Sequence, residues 1–204
     1  MRYSKDIIGK PVYSMDDGRH LGTVRDVYVD EALAWLAGVH LGKEGLISRR
    51  SLLIPREAIV VFGVDAVLAK NAGVVSDDKS TPASEQWVRL EKLKGRQVDT
   101  PGGTPVGTIG DVLLDEEARI IGFHLSRVLV EGPIAEYPTI TRTAMVDTGS
   151  EDGVMTVDLA AAEQHSQVAL GETEGVEVTE EAEPEEAVMS VPAAEKESPV
   201  EEEE

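Results

Sequence analysis

The chain has 204 residues, 41% apolar but only 4% aromatic, with no cysteine and a formal net charge of −20. That length suits one ordinary domain or two small ones, with a core built on Val, Leu, Ile and Ala. The absence of cysteine removes disulfides, thiolate metal sites and thiol nucleophiles together, and the acidic balance repels phosphate backbones, so direct nucleic-acid binding is not expected.

In chain order, the opening MRYSKDIIGK has no apolar stretch of the signal-peptide kind. The apolar run at residues 58–62 falls far short of the roughly 20 residues that cross a bilayer. A cytoplasmic protein without a membrane span is the expectation. A first strand follows IIGK, and the DDG at residues 16–18 makes a hairpin turn, since Asp-Gly supplies the positive φ a tight hairpin needs. The next stretch, LGTVRDVYVDE, places Val24, Val27 and Val29 on what must be one face. Strict alternation cannot do that, so a β-bulge at Arg25–Asp26 is predicted, bending the ribbon as barrels require. DEALA makes the next turn, and the apolar WLAGVHL reads as a strand buried on much of both faces. Arg49, Arg50 and Arg56 form a basic cluster on or beside the following loop.

Residues 76–90 read as a polar, turn-rich linker, with Thr81 capping a short helix, Pro82 at its first position and Trp87 closing it. The pattern then starts again. VGTIGDVLLDE at residues 106–116 repeats LGTVRDVYVDE at residues 21–31, with six of eleven residues identical. Gly9 answers Gly95, each followed by a basic residue, and Gly22 answers Gly107. Asp26 answers Asp111, Asp30 answers Asp115, and His40 answers His124. LIP, ending at Pro55, is aligned with EYP, ending at Pro138, so the offset drifts from 86 to 83; beyond it the return segment EYPTITRTAMV departs from the first copy by an apparent three-residue insertion. The repeat predicts two units, residues 1–75 and 91–165, of about six short strands each. Residues 166–204 hold −13 of the net charge, leaving −7 on the body. Their Glu-rich composition predicts a disordered tail, preceded by a helical stretch around DLAAAEQHS.

DIIGKPVYSMDDGRHLGTVRDVYVDE followed by LIPREAI, and KLKGRQVDTPGGTPVGTIGDVLLDE in the second copy, resemble the PRC-barrel family, the photosynthetic reaction-centre barrel. The resemblance implies an all-β protein: two small PRC-like β-barrels in tandem, with a disordered acidic C-terminal tail. It implies an interaction module. In the family the barrel occurs on the cytoplasmic part of a reaction-centre subunit and on a ribosome-maturation factor that engages a small-subunit protein. The pattern starts almost at Met1, so a membrane anchor or a distinct leading domain of those kinds is not expected here.

Each candidate site has two readings. His40 and His124 form a metal or pH-sensing pair if both approach one interface, or are hydrogen-bonded strand histidines. Asp26 and Asp111 are either each half of a carboxylate pair or accept backbone N–H groups freed at the bulge. The Asp30 and Asp115 turns lack calcium-loop spacing, and GGTPVGTIG lacks the lysine of a phosphate loop. Arg49 and Arg50 are candidates for an acidic partner. A nucleophile elbow, zincin helix or Ser-His-Asp grouping is not visible. The expectation is a non-enzymatic scaffold without cofactor or metal, binding a protein of unknown identity, with barrels packed against each other within the chain or in a homodimer. The alternatives are a ribosome-maturation-like adaptor, acting in rRNA processing through a ribosomal protein, and a metal or pH sensor using His40 and His124.

Overall fold

The structure, a computed structural model, describes residues 1–44, 50–149 and 153–164. The expected disorder of residues 166–204 and the contribution of Arg49 lie outside them. The chain is all-β. The first unit holds β1 (Arg2–Tyr3), β2 (Pro11–Ser14), β3 (His20–Thr23), β4 (Asp26–Val29), β5 (Leu36–Glu44), β6 (Arg50–Pro55), β7 (Ile59–Phe62) and β8 (Val67–Ala69). The joining segment adds β9 (Ser76–Asp77) and β10 (Val88–Arg89). The second unit holds α1 (Leu90–Leu93), β11 (Gln97–Asp99), β12 (Pro105–Leu114), β13 (Ile120–Val128), α2 (Pro133–Glu136), β14 (Thr139–Thr141), β15 (Met145–Asp147) and β16 (Met155–Val157).

The same pairings occur in both units. β2 pairs antiparallel with β3 and parallel with β8, which pairs with β7. In parallel fashion, β11 pairs with β12 and with β16, which pairs with β15. β4–β5–β6 is answered by the end of β12, then β13 and β14. A 3-10 turn, Arg56–Ala58, leads from β6 in one sheet of the first unit to β7 in the other, and Arg142–Ala144 takes the same place between β14 and β15 in the continuous sheet of the second.

The predicted bend is present, built in two ways. In the second unit β12 is one continuous strand, and its register against β13 slips between Ile109 and Asp111, so Gly110 is the extra residue. In the first unit the ribbon breaks outright: β3 ends at Thr23, β4 starts at Asp26, and the two pieces belong to different sheets. Arg25 N–H still donates to the His40 carbonyl at 2.7 Å, which holds the broken corner to β5.

One part of the internal alignment is corrected. Pro55 lies opposite Gly38, and Thr141, not Pro138, lies opposite the equivalent Gly122. His40 pairs with Leu53, 13 residues on, while His124 pairs with Thr139, 15 residues on. The extra length sits in the connection carrying α2, and the return strand itself is intact. Matching the two prolines by identity misplaced the register.

The joining segment is woven into the first sheet. β9 extends it beyond β6, and β10 lies on its other edge against β4. Pro82–Gln86 is a 3-10 turn with Pro at its start, but the Thr81 hydroxyl bonds Ser76 rather than capping it. Residues 159–164 are helical, as the Ala-rich sequence suggested, and Asp158 accepts the Ala161 N–H. One apolar cluster runs through both units, from Ile7, Val12, Val27 and Leu36 to Leu93, Ile109, Leu114, Phe123 and Ile140.

Gly22 and Gly107 recur for different reasons. Gly22 has φ +144°, whereas a Cβ at Gly107 would stand 2.3 Å from the Arg127 carbonyl oxygen. Overpacking of that kind costs about 1–3 kcal/mol, so Gly107→Ala is expected to lower stability by that amount in urea unfolding. A loss below about 0.5 kcal/mol, the range of neutral surface changes, would contradict the close approach.

Candidate functional site

The polar side chains that the repeat singles out converge on the seam between the units. The seam obeys an internal pseudo-twofold relation. β1, which opens the first unit, pairs with the end of β12 in the second: Arg2 opposite Leu114, Tyr3 opposite Leu113. β10, which opens the second unit, pairs with β4 of the first: Val88 opposite Val29, Arg89 opposite Tyr28. Each unit lends its leading strand to its sister. The axis passes between Trp35 and Arg119, equivalent residues that form a β-bridge with each other. Around it, Leu36 N–H donates to Ala118 O at 2.9 Å and Ile120 N–H donates to Ala34 O at 2.8 Å. The Arg119 guanidinium lies 4.9 Å from the centre of the Trp35 ring.

The repeated aspartates hold the exchanged strands. Asp26 and Asp111 are both buried, and each accepts the N–H of the residue after it, Val27 at 2.9 Å and Val112 at 2.8 Å. That much was expected of a carboxylate at a bend. Their remaining capacity goes to the sister unit's leader. Asp26 takes the Arg89 Nε–H at 2.9 Å, and Asp111 accepts from the Ser4 hydroxyl and from the Lys5 N–H at 3.3 Å. The two carboxylates therefore stand in two separate seams, each already engaged, and do not form an acid–base pair.

The turn aspartates act locally. Asp30 accepts the N–H groups of Ala34 and Trp35, and Asp115 those of Glu117 and Arg119. These bonds hold turns in which Leu33 and Ala118 take φ of 48° and 67°. The outward carbonyls of these turns are read by arginines of the opposite unit. Arg142 donates to Leu33 O at 3.0 Å and Ala32 O at 2.8 Å, and Arg56 donates to Glu117 O at 3.0 Å. The basic residue after each repeated glycine (Gly9, Gly95) also has one job in both copies: Lys10 donates to Gly63 O and Arg96 to Thr148 O. Arg142 and Arg89 escaped sequence reading because their acceptors, a backbone carbonyl and a distant carboxylate, leave no spacing pattern. The matched offset of Arg56 and Arg142 was the available signal.

His40 and His124 occupy equivalent places, each in its own seam. His40 lies on β5 opposite Asp26, edge-on to Tyr28 at 5.8 Å; His124 lies opposite Asp111, edge-on to Tyr3 at 5.6 Å. His40 is buried, and neither ring nitrogen has a hydrogen-bond partner. Among the described residues, no group of three or more His, Asp or Glu side chains could hold a metal ion. Arg50 is exposed and pairs with Asp77 at 3.2 Å, tying β6 to β9. An open cleft of about 450 Å3, lined by Asp30, Glu31, Ala32, Gln86 and Trp87, lies beside the seam.

These features define a protein class: an all-β chain of repeated, curled sheet units locked through exchanged strands. Residues 1–75 match the PRC-barrel domain family. No curated protein matches the chain.

Burial pushes the His40 pKa below the usual imidazole value, with the Arg89 charge acting the same way and Asp26 opposing. Lys43 lowers it further and Glu91 raises it. A lowered folded-state pKa means the unfolded chain binds the proton more readily, so stability falls as pH drops below about 6.5. His40→Leu is expected to flatten the melting temperature between about pH 7.5 and pH 5.5, above the carboxylate range. An unchanged slope would show that His40 does not contribute. Arg89→Ala leaves the Asp26 carboxylate buried beside a strand that has lost its clamp. It is expected to cost about 1–3 kcal/mol at neutral pH in denaturant unfolding, against no more than about 0.5 kcal/mol for Arg19→Ala, an exposed pair.

Proposed function

We propose that the chain is a non-enzymatic tandem PRC-barrel protein that acts as an interaction or scaffold module. The observation that carries this reading is the reciprocal strand exchange. It commits the buried carboxylates, Asp26 and Asp111, and the seam arginines, Arg56, Arg89 and Arg142, to holding two units in a fixed relation. Groups already satisfied by structure are poor acids, bases or ligands, whereas a rigid block presents its outer faces with little ordering cost on binding. The family match over residues 1–75 supports the barrel assignment of the first unit. The second unit's identical pairing order supports reading it as a sister barrel, with barrel–barrel packing inside one chain. The paired core follows a physical need, because a unit of roughly 75 residues has little core of its own.

Affinity capture with the full chain from lysate of its source cells, after mild cross-linking, tests the reading. A defined protein retained in near-equimolar amount is the expected result. Repeated capture with no stoichiometric partner would overturn it.

A further inference from the structure

The sheet β3–β2–β8–β7 of the first unit turns Val12, Ser14, Val67 and Ala69 into the core. Its outer face carries a row fixed by register. His20 lies opposite Tyr13, Tyr13 opposite Leu68, and Leu68 opposite Val61. Tyr13 is 37% exposed, Val61 44%, and Met15, just beyond β2, 55%. The His20 ring leans against Tyr13 with centroids 5.3 Å apart. The second unit contains the control. The same pairings place Pro105 opposite Asp99, Asp99 opposite Thr156, and Thr156 opposite Asp147. One fold thus builds the same row twice, once as His–Tyr–Leu–Val and once as Pro–Asp–Thr–Asp. Barrel closure therefore does not require apolar side chains there. Leu68, between Tyr13 and Val61, is half-buried. A water-facing row of this kind is ordinarily polar, as in the second unit, and an apolar row with exposed members marks an interaction surface.

The charges around the row narrow the partner. In the turns at its ends, Asp16 and Asp65 are exposed and make no ion pair with a described residue. Arg19 is paired with Asp17, Lys10 is bound to Gly63 O, and among the described residues nearby Lys70 is the one uncommitted cation. The chain as a whole carries −20. Two copies would meet against that repulsion, whereas a basic partner is drawn in. We propose that the Tyr13–Leu68–Val61 row is the docking face for a protein segment whose apolar side chains are flanked by lysine or arginine. The inference rests on the interaction-module reading and names the surface and the chemistry of the partner.

The test transplants the sister row. The full chain and its Y13D/L68T/V61D variant are titrated with a fluorescent peptide of alternating valine and lysine, and with the same peptide carrying glutamate for lysine. The native chain is expected to bind the lysine peptide about tenfold or more tightly than the glutamate one, and the variant to lose about tenfold of that affinity. The variant should keep its melting temperature within a few degrees, since its residues are those of the second unit; if it fails to fold, Tyr13→Ser alone is used. Equal binding by native and variant, or indifference to peptide charge, overturns the proposal. A sedimenting dimer that the variant abolishes would assign the face to a second copy, and cross-links from the row to residues 166–204 would assign it to the chain's own tail; either overturns it. Lysate capture is run with both proteins. A partner kept by both removes this row but leaves the module reading standing. Capture of no partner by either protein removes the module reading, and the peptide titration then judges the row by itself.

Discussion

The exchange of leading strands is the constraint on which the rest of the molecule depends. β1 completes the edge of β12 and β10 completes the edge of β4, so neither unit's central ribbon is finished by its own residues. An unpaired strand edge leaves backbone donors and acceptors without protein partners and offers a template for unwanted pairing. Each unit covers the other's edge, and the apolar residues that follow the exchanged strands, Ile7 behind β1 and Leu90 and Leu93 behind β10, enter the common cluster. Folding of the two units is thereby coupled through backbone pairing and shared burial together.

The buried polar groups make sense in that frame. A carboxylate in a low-dielectric interior is costly unless hydrogen-bonded and compensated. Asp26 and Asp111 sit where the ribbon bends, so the bend supplies one N–H and the sister's leader supplies the rest. The two solutions differ in chemistry. An arginine answers Asp26, with its own charge shared by Glu91, while a serine hydroxyl and a backbone N–H answer Asp111. Both units need a donor at this place, and they differ in which group supplies it. His40 shows the cost of the same tight packing: its ring is edge-on to Tyr28, and burial first, then the Arg89 charge, disfavours its protonation.

The two units are alike inside and unlike outside. Core positions keep apolar side chains in both, and the turn arginines Arg56 and Arg142 keep the same reciprocal grip on carbonyls across the axis. The outer rows diverge, because nothing in closure constrains a side chain that faces water. That divergence is where differences in binding can arise without disturbing the lock.

Sequence alone determined the all-β class, the internal repeat and the bend. Alternation, Asp-Gly turns and the valine spacing in LGTVRDVYVDE are local signals, and local backbone preferences act on neighbouring residues whatever the rest of the chain does. Asp26 and Asp111 were legible as bend residues for the same reason. Only the tertiary structure decided what their second oxygens bind, where the pseudo-twofold axis lies, and that Thr141 rather than Pro138 answers Pro55. Two-residue strands such as Arg2–Tyr3 and Val88–Arg89 are too short to leave a period. Arginines that bond carbonyls across the axis carry no motif, and register is set by hydrogen bonds between strands far apart in the chain. The turn and the bulge are written residue by residue, whereas the lock exists only once two copies meet.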